Sequence, residues 1–321
     1  MKATVVKHTG SHYLLSPLPR WEPFMAVVRG KLRLDKSENT NPIAVGDVVE
    51  YEAVAGAVAR EAAAGATYVI TEVLPRRNCI VRRSANLSRQ NHLIAANIDM
   101  VYLVVTFALP EIKPQFVDRF LVTCEAYNTP VTILINKCDI YDQIPELKPL
   151  VENFKSIYTK IGYPILEVSA KNGQNINELR KQCKDRVVLF SGQSGVGKSS
   201  IVNAIDPDLK LKTSSISKAH LQGKHTTTFY EMHPLATGGF VIDTPGIRGF
   251  GLVNFEKEEL SNFFPEMLKV EDDCRFTPCT HTHEPGCAVK QAVEEGRIAE
   301  ERYTSYLAML EEDSKYRGGD Q

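Results

Sequence analysis

Between Gly192 and Ser200 the chain reads Gly-Gln-Ser-Gly-Val-Gly-Lys-Ser-Ser, the G-x-x-x-x-G-K-[ST] spacing of a phosphate loop. Glycines at 192, 195 and 197 let the backbone curl until successive N–H groups point at one anion. Gln193, Ser194, Val196 and Ser200 lend their backbone to the same cradle, and a helix beginning at its end adds a partial positive charge. Lys198 has the reach and charge to contact β- and γ-phosphates, and the Ser199 hydroxyl suits Mg²⁺.

A second set of residues reads a base. Asn136-Lys137-Cys138-Asp139 comes directly after an apolar run. Guanine presents N1–H and an exocyclic amine as adjacent donors, and one carboxylate accepts both. Asp139 therefore selects guanine over adenine, which lacks that pair. Asn136 and the aliphatic stem of Lys137 fix the loop and cover the base. Ser169, Ala170 and Lys171 close its other side. Asp243 ends a further apolar run, where an aspartate holds Mg²⁺ through water, and the Gly246 N–H is placed to sense a γ-phosphate.

Residues 212–228 are polar, contain glycine and have little apolar periodicity, as a switch loop ordered by Mg²⁺ through a threonine requires. Thr227 is the chosen magnesium ligand, with Thr226 and Thr228 as neighbours. The position after Gly246 is Ile247, not a water-orienting glutamine. His225 is the internal candidate for that role and Arg248 the second, as a charge stabiliser. The missing glutamine predicts slow hydrolysis by the chain alone and a partner that accelerates it. Catalysis is thus assigned to His225, Lys198 and Thr227.

Cys274-x₄-Cys279-x-His281-x₅-Cys287 brings three thiolates and an imidazole into a short segment. Four such ligands suit tetrahedral Zn²⁺ in a closed structural site with no place for a catalytic water. His283 is an alternative ligand at a less favourable spacing.

The apolar pattern supplies the scaffold for these groups. Four stretches within residues 1–85 (13–15, 24–34, 48–51 and 67–73) read as short strands separated by turn residues. They suit a small OB-like β-barrel, with 53–66 as a mobile loop. Arg76, Arg77, Arg82, Arg83 and Arg89 come next, either as RNA phosphate contacts or as a solvated connector. From residue 97 strands alternate with helices: strands at 98–107, 131–135, 165–168, 187–190 and 239–242, helices at 114–127, 149–161 and from 200. This predicts a largely parallel sheet with helices on both faces and ligands at the strands' carboxyl ends. Helical patterns at 258–268, 288–295 and 298–312 flank the cysteines. The division is 1–85 barrel, 86–252 nucleotide domain and 253–321 zinc-binding helical domain.

The base-reading motifs precede the phosphate loop, the reverse of the usual order, which makes the nucleotide domain circularly permuted. Asp243 to Gly246 then leads straight into the C-terminal module, with residues 247–256 as the expected route between them.

The chain has 321 residues and a net charge of −1, which excludes a polycation. Residues 1–85 carry 12 Lys/Arg against 8 Asp/Glu, and residues 256–321 carry 8 against 16, so charge favours the N-terminal part for any nucleic-acid contact. Seven cysteines, an odd number, argue against a disulfide framework. No apolar run approaches a membrane span and the first residues lack a signal h-region, so the expected location is the cytoplasm, without a membrane partner, as a monomer.

Taken together, Ala95-Ala-Asn-Ile-Asp99, Asn136-Lys-Cys-Asp139, Gly192-Gln-Ser-Gly-Val-Gly-Lys-Ser-Ser200, Gly223-Lys-His-Thr-Thr-Thr228, Asp243-Thr-Pro-Gly-Ile-Arg248 and Cys279-Thr-His-Thr-His-Glu-Pro-Gly-Cys287 resemble the RsgA family of small-ribosomal-subunit GTPases. The resemblance covers nearly the whole chain and matches the barrel in pattern only. It implies GTP as substrate, Mg²⁺, one structural Zn²⁺, and the small ribosomal subunit with its rRNA as partner. It also implies late subunit maturation, stimulation by the subunit and a role for His225. The competing reading is a guanine-nucleotide-switched binding protein with a non-ribosomal partner. An ATPase or kinase on the same loop is opposed by Asp139.

Overall fold

A computed structural model of the chain describes residues 1–8, 12–28, 43–53, 68–83, 91–141, 143–211, 230–243 and 257–317. Five strands come first: β1 (Lys2–His8), β2 (His12–Ser16), β3 (Phe24–Val28), β4 (Val48–Ala53) and β5 (Tyr68–Val73). They pair in the order β1-β2-β3-β5-β4, and β4 returns to β1 with Lys2 opposite Glu50 and Thr4 opposite Val48. Closure removes the free edges a small sheet would expose. Alternate residues such as Val5, Leu15, Ala26, Val49 and Ile70 fill the interior. This is the OB-like barrel expected. The sequence pattern missed β1, a lysine-bounded run whose strand character rests on its two barrel partners. The expected strand at 24–34 is described only to Val28, and the loop beyond Ala53 lies outside the described residues until Tyr68.

The arginine-rich segment is more ordered than a connector. β6 (Cys79–Arg83) and β7 (Asn91–Ala96) pair antiparallel, and the expected boundary near residue 85 lies outside the described residues. Arg76 makes a forked contact with the fully buried Asp47, Nε to Oδ1 at 2.6 Å and Nη2 to Oδ2 at 2.8 Å. Arg77 donates to Asp99 Oδ1 at 2.8 Å and to the Asn97 carbonyl at 3.1 Å. The Arg76 guanidinium is committed to the buried Asp47, which joins the barrel to the segment after it, while Arg77, 64% exposed, makes its contacts at the surface. Gly46, at φ +93°, sits so close to β7 that a Cβ there would lie 2.0 Å from the Ala96 carbonyl oxygen.

The second body is a six-stranded sheet: β8 (Met100–Val105), β9 (Val131–Asn136), β10 (Ile165–Val168), β11 (Val187–Ser191), β12 (Glu231–Pro234) and β13 (Phe240–Asp243). Its order is β10-β9-β8-β11-β13-β12, parallel except for β12 at the edge. That edge strand, which the sequence pattern did not reveal, meets β1 at Lys7 and Glu231, whose side chains pair at 2.8 Å. Every residue of β9 is buried, as a strand covered on both faces demands. Helices α1 (Pro114–Ala126), α2 (Cys138–Tyr141) and α3 (Lys148–Ile161) cover one face, against Val101, Leu103 and Val105. Helices α4 (Ile176–Cys183) and α5 (Lys198–Ile205) cover the other, against Tyr102 and Val104.

The C-terminal module holds α6 (Pro265–Leu268), α7 (Ala288–Glu294) and α8 (Glu300–Arg317). The continuous helix expected over 258–268 is instead a 3-10 segment, Lys257–Phe263, followed by α6. Pro265 is the cause: it disfavours helical geometry in the residue before it, and Phe264 is extended at φ −109°, ψ 96°. Leu260, Phe264, Met267, Tyr306 and Met309 pack with Val122 of α1 into one cluster, which seats the module on the sheet domain. No described helix is long and apolar enough to cross a membrane.

Candidate functional site

The described motif loops all leave the carboxyl ends of parallel strands of one sheet. Gly192 follows β11, Asn136 ends β9, Ser169 follows β10 and Asp243 ends β13. The strand order puts the phosphate loop between the base-reading pair and Asp243, although the base-reading motifs come first in sequence. Permutation changes the connections and leaves the neighbours in place.

Gly192, Gly195 and Gly197 have φ values of +144°, +84° and +95°. At Gly197 a Cβ would stand 2.5 Å from Asn136 Nδ2, so only glycine admits the asparagine at this point. Asn136 uses that closeness. Its Nδ2 donates to the Val196 carbonyl at 2.8 Å, and its Oδ1 accepts from Ala170 N at 3.4 Å. One buried side chain thus ties the phosphate loop to both halves of the base-reading site. Lys137 Nζ donates to the Gly195 carbonyl at 2.9 Å and to the Leu109 carbonyl, and burial pulls its pKa down against the opposing pull of Asp139.

Asp139 is held from the opposite side. Ser169 Oγ donates to Asp139 Oδ1 at 2.6 Å, and Lys171 Nζ lies 3.7 Å from Oδ2. Cys138 points away: its thiol donates to the Val168 carbonyl at 2.9 Å and anchors the loop to β10. Its place in the site is structural, through backbone and core. Lys198 Nζ donates to the Gly192 and Gln193 carbonyls at 2.8 Å each, so the ammonium lies folded over the loop that would hold a phosphate chain. Ser199 and Ser200 form the first turn of α5. Gln193 and Val196 face α1, and Ser194 lies in the loop's turn. Thr226, Thr227, Thr228, His225, Gly246, Ile247 and Arg248 lie outside the described residues, as do 247–256.

Sequence reasoning missed the loop after β8. Thr106 Oγ1 donates to the Pro110 carbonyl at 2.6 Å, and Leu109 sits at φ +54° with its carbonyl on Lys137. The strained leucine carried no polar signal to mark it. The Pro110 and Pro114 punctuation was the available hint.

A second cluster lies in the C-terminal module. One ligand atom each from Cys274, Cys279, His281 and Cys287 lies within 4.8 Å of the others. His281 Nδ1 is 3.6 Å from Cys274 Sγ and 3.4 Å from Cys287 Sγ, and those two sulfurs are 4.0 Å apart. Ligands about 2.0–2.3 Å from a tetrahedral zinc have such separations. Burial lowers the His281 pKa and so favours the neutral, ligating ring; Glu271 Oε2 lies 3.8 Å from its Nε2. Glu284 gathers the knuckle, accepting from Thr280 N and Oγ1 and from Thr282 N at 2.8, 2.6 and 3.0 Å. His283 stays exposed, with Nδ1 on the Thr282 hydroxyl. The set is compatible with one Zn²⁺.

Comparison with known proteins agrees with this geometry. The family model described as RsgA GTPase matches residues 73–253. "Small ribosomal subunit biogenesis GTPase RsgA" of Bacteroides fragilis is 47% identical over 319 residues, covering 99% of each chain. "Small ribosomal subunit biogenesis GTPase RsgA 2" of Bacteroides thetaiotaomicron is 46% identical over 321 residues, with the same coverage. Among solved structures, YjeQ from Thermotoga maritima superposes with a TM-score of 0.73 at 34% identity over 97% of each chain. YloQ, described as a circularly permuted GTPase, gives 0.70 at 29% identity over 98% of this chain and 95% of its own. With barrel, permuted sheet and Cys/His module all matched, the chain belongs to the RsgA GTPase family and is a GTP hydrolase.

Proposed function

We propose that this GTPase binds the small ribosomal subunit and hydrolyses GTP to assist its late maturation. The observation that carries the reading is Asn136, which binds the phosphate loop and the base-reading loops together. It does so in a chain matched end to end by proteins named for small-subunit biogenesis. Asp139 selects guanine, and Asn136, Lys137, Ser169, Ala170 and Lys171 frame the base. The loop 192–200 cradles the phosphates, with Lys198 on the β- and γ-oxygens. Ser199, Thr227 and Asp243 are the groups suited to hold Mg²⁺. When bound, the ion neutralises charge on the terminal phosphates. Gly246 senses the γ-phosphate and His225 orients the attacking water in place of the absent glutamine. Cys274, Cys279, His281 and Cys287 hold one structural zinc, which would supply folding energy to a module with a small core.

The working division is a barrel over 1–85, the permuted GTPase over 86–252 and the zinc module over 253–321. The barrel is the proposed rRNA contact, the protein acts as a monomer in the cytoplasm, and hydrolysis is slow until the subunit binds. The test is phosphate release from GTP by the protein alone, then with isolated small subunits, large subunits and whole ribosomes. Acceleration by small subunits that Lys198→Ala abolishes is the expected result. A slow rate unchanged by all three would overturn the ribosomal partner and leave the hydrolase.

A further inference from the structure

A buried charged network outside the nucleotide site joins the last helix to the first. Arg302 on α8 is 1% exposed. Its Nη1 donates to Asp118 Oδ1 on α1 at 2.7 Å, while Nε and Nη2 hold the two Glu266 oxygens on α6 at 2.6 and 3.2 Å. Tyr158 on α3 donates its hydroxyl to the same Asp118 oxygen at 2.5 Å. Asp118 Oδ2 has no partner among the described residues, so Arg302 and Tyr158 are its described support. The guanidinium lies over the Phe264 ring, 4.7 Å from its centroid. Burying three charges is costly, and apolar residues would pack such a seam about as well. What the network adds is geometry. A fork on Glu266 with a third N–H on Asp118 admits one placement of α8 against α1.

The N-terminal turn of α1, immediately before Asp118, leans on the nucleotide site. Ile112, Lys113, Phe116 and Val117 share one small gap with Gln193 and Val196 of the phosphate loop. Just before the helix, a methyl on Gly195 would touch Pro110 Cδ at 3.6 Å, and the Leu109 carbonyl takes the Lys137 ammonium. Leu109 is held in a left-handed conformation that a leucine adopts only at a cost, so its surroundings dictate it. The thirteen residues of α1 make a rod about 20 Å long, with the phosphate loop at one end and the C-terminal module along its side.

We propose that Arg302 is a positioning residue for the nucleotide site. By clamping Asp118 it fixes α1, and α1 fixes the turn on which the phosphate loop and Lys137 rest. The C-terminal module and the bound nucleotide then influence each other reciprocally. This route runs through described helices and needs no ribosomal partner to operate.

The test uses the full chain with Asp118→Asn, Arg302→Met and the double variant. Affinity for a fluorescent GDP analogue is measured well below each unfolding midpoint, alongside circular dichroism and metal content. The expected result is a dissociation constant raised roughly 2- to 30-fold in each single variant. The double variant loses no more than the worse single one, because both changes cut the same link. A clamp that only stabilises the fold leaves the affinity of folded variants untouched. Unchanged affinity in folded Asp118→Asn, or additive losses in the double variant, would overturn the proposal. Should Arg302→Met not fold, Arg302→Lys takes its place, since it keeps the charge and loses the fork.

Discussion

Ser169 Oγ stands 2.6 Å from Asp139 Oδ1, so a residue thirty positions later orients the carboxylate that reads guanine. Asp139→Asn turns one acceptor oxygen into a donor facing the guanine N1–H or amine. GTP affinity should fall roughly 10- to 150-fold, the range for losing one or more hydrogen bonds to a charged group. Xanthine nucleotides, which present an acceptor where guanine has its amine, should bind better than to the parent. Competition titration with GTP, ATP and XTP measures both, and unchanged GTP affinity would remove Asp139 from the site.

Gly197→Ala tests the seam between the two halves of the pocket. The new methyl would stand 2.5 Å from Asn136 Nδ2 at a φ of +95°. Either the phosphate loop shifts or Asn136 leaves Val196. Strain and a lost buried hydrogen bond of ~1–3 kcal/mol each predict at least a several-fold loss of GDP affinity. Equilibrium binding and the unfolding midpoint, measured together, separate the pocket effect from a general loss of stability.

Asp47→Ala probes how the barrel is held. Removing that carboxylate leaves Arg76, three-quarters buried, without its forked partner, and the Ala44 N–H loses its acceptor. Breaking such a pair costs roughly 3–5 kcal/mol. Urea denaturation should show a transition shifted to lower concentration. A shift worth under about 1 kcal/mol would mean that the pair adds little to the joint.

The cysteine cluster makes a pH prediction. In the metal-free protein burial pushes the Cys279 thiol up to about 12 and raises Cys287 as well. A metal must displace protons that these thiols hold firmly, so zinc affinity should fall as pH falls and rise as pH rises. Metal analysis at neutral pH should give one zinc per chain. Dialysis against a chelator at stepwise lower pH should release it and lower the unfolding midpoint, and Cys287→Ser should do so without acid. Protein purified at neutral pH with no metal would count against the site.

The phosphate loop, Asn136 to Asp139, Ser169 to Lys171 and the four soft ligands were legible in sequence because each is a local pattern. Glycine at a positive φ, a carboxylate facing paired donors, and thiols at short spacing need only their neighbours to be recognised. The parallel sheet was legible for a similar reason: strands buried on both faces read as unbroken apolar runs. Other features depend on partners far apart in the chain, and folding alone settled them. β1 is a strand because it lies between β2 and β4, and Arg76 is spent because Asp47 lies beside it. Asp118 lies among the buried residues of α1, and its guanidinium partner is 184 residues away. Periodicity reports which face a residue occupies, and a charge on the buried face stays unexplained until folding brings up its counter-charge. The permuted order could be read from the chain, but only the sheet, with β11 between β8 and β13, showed that the neighbours of the nucleotide survive it.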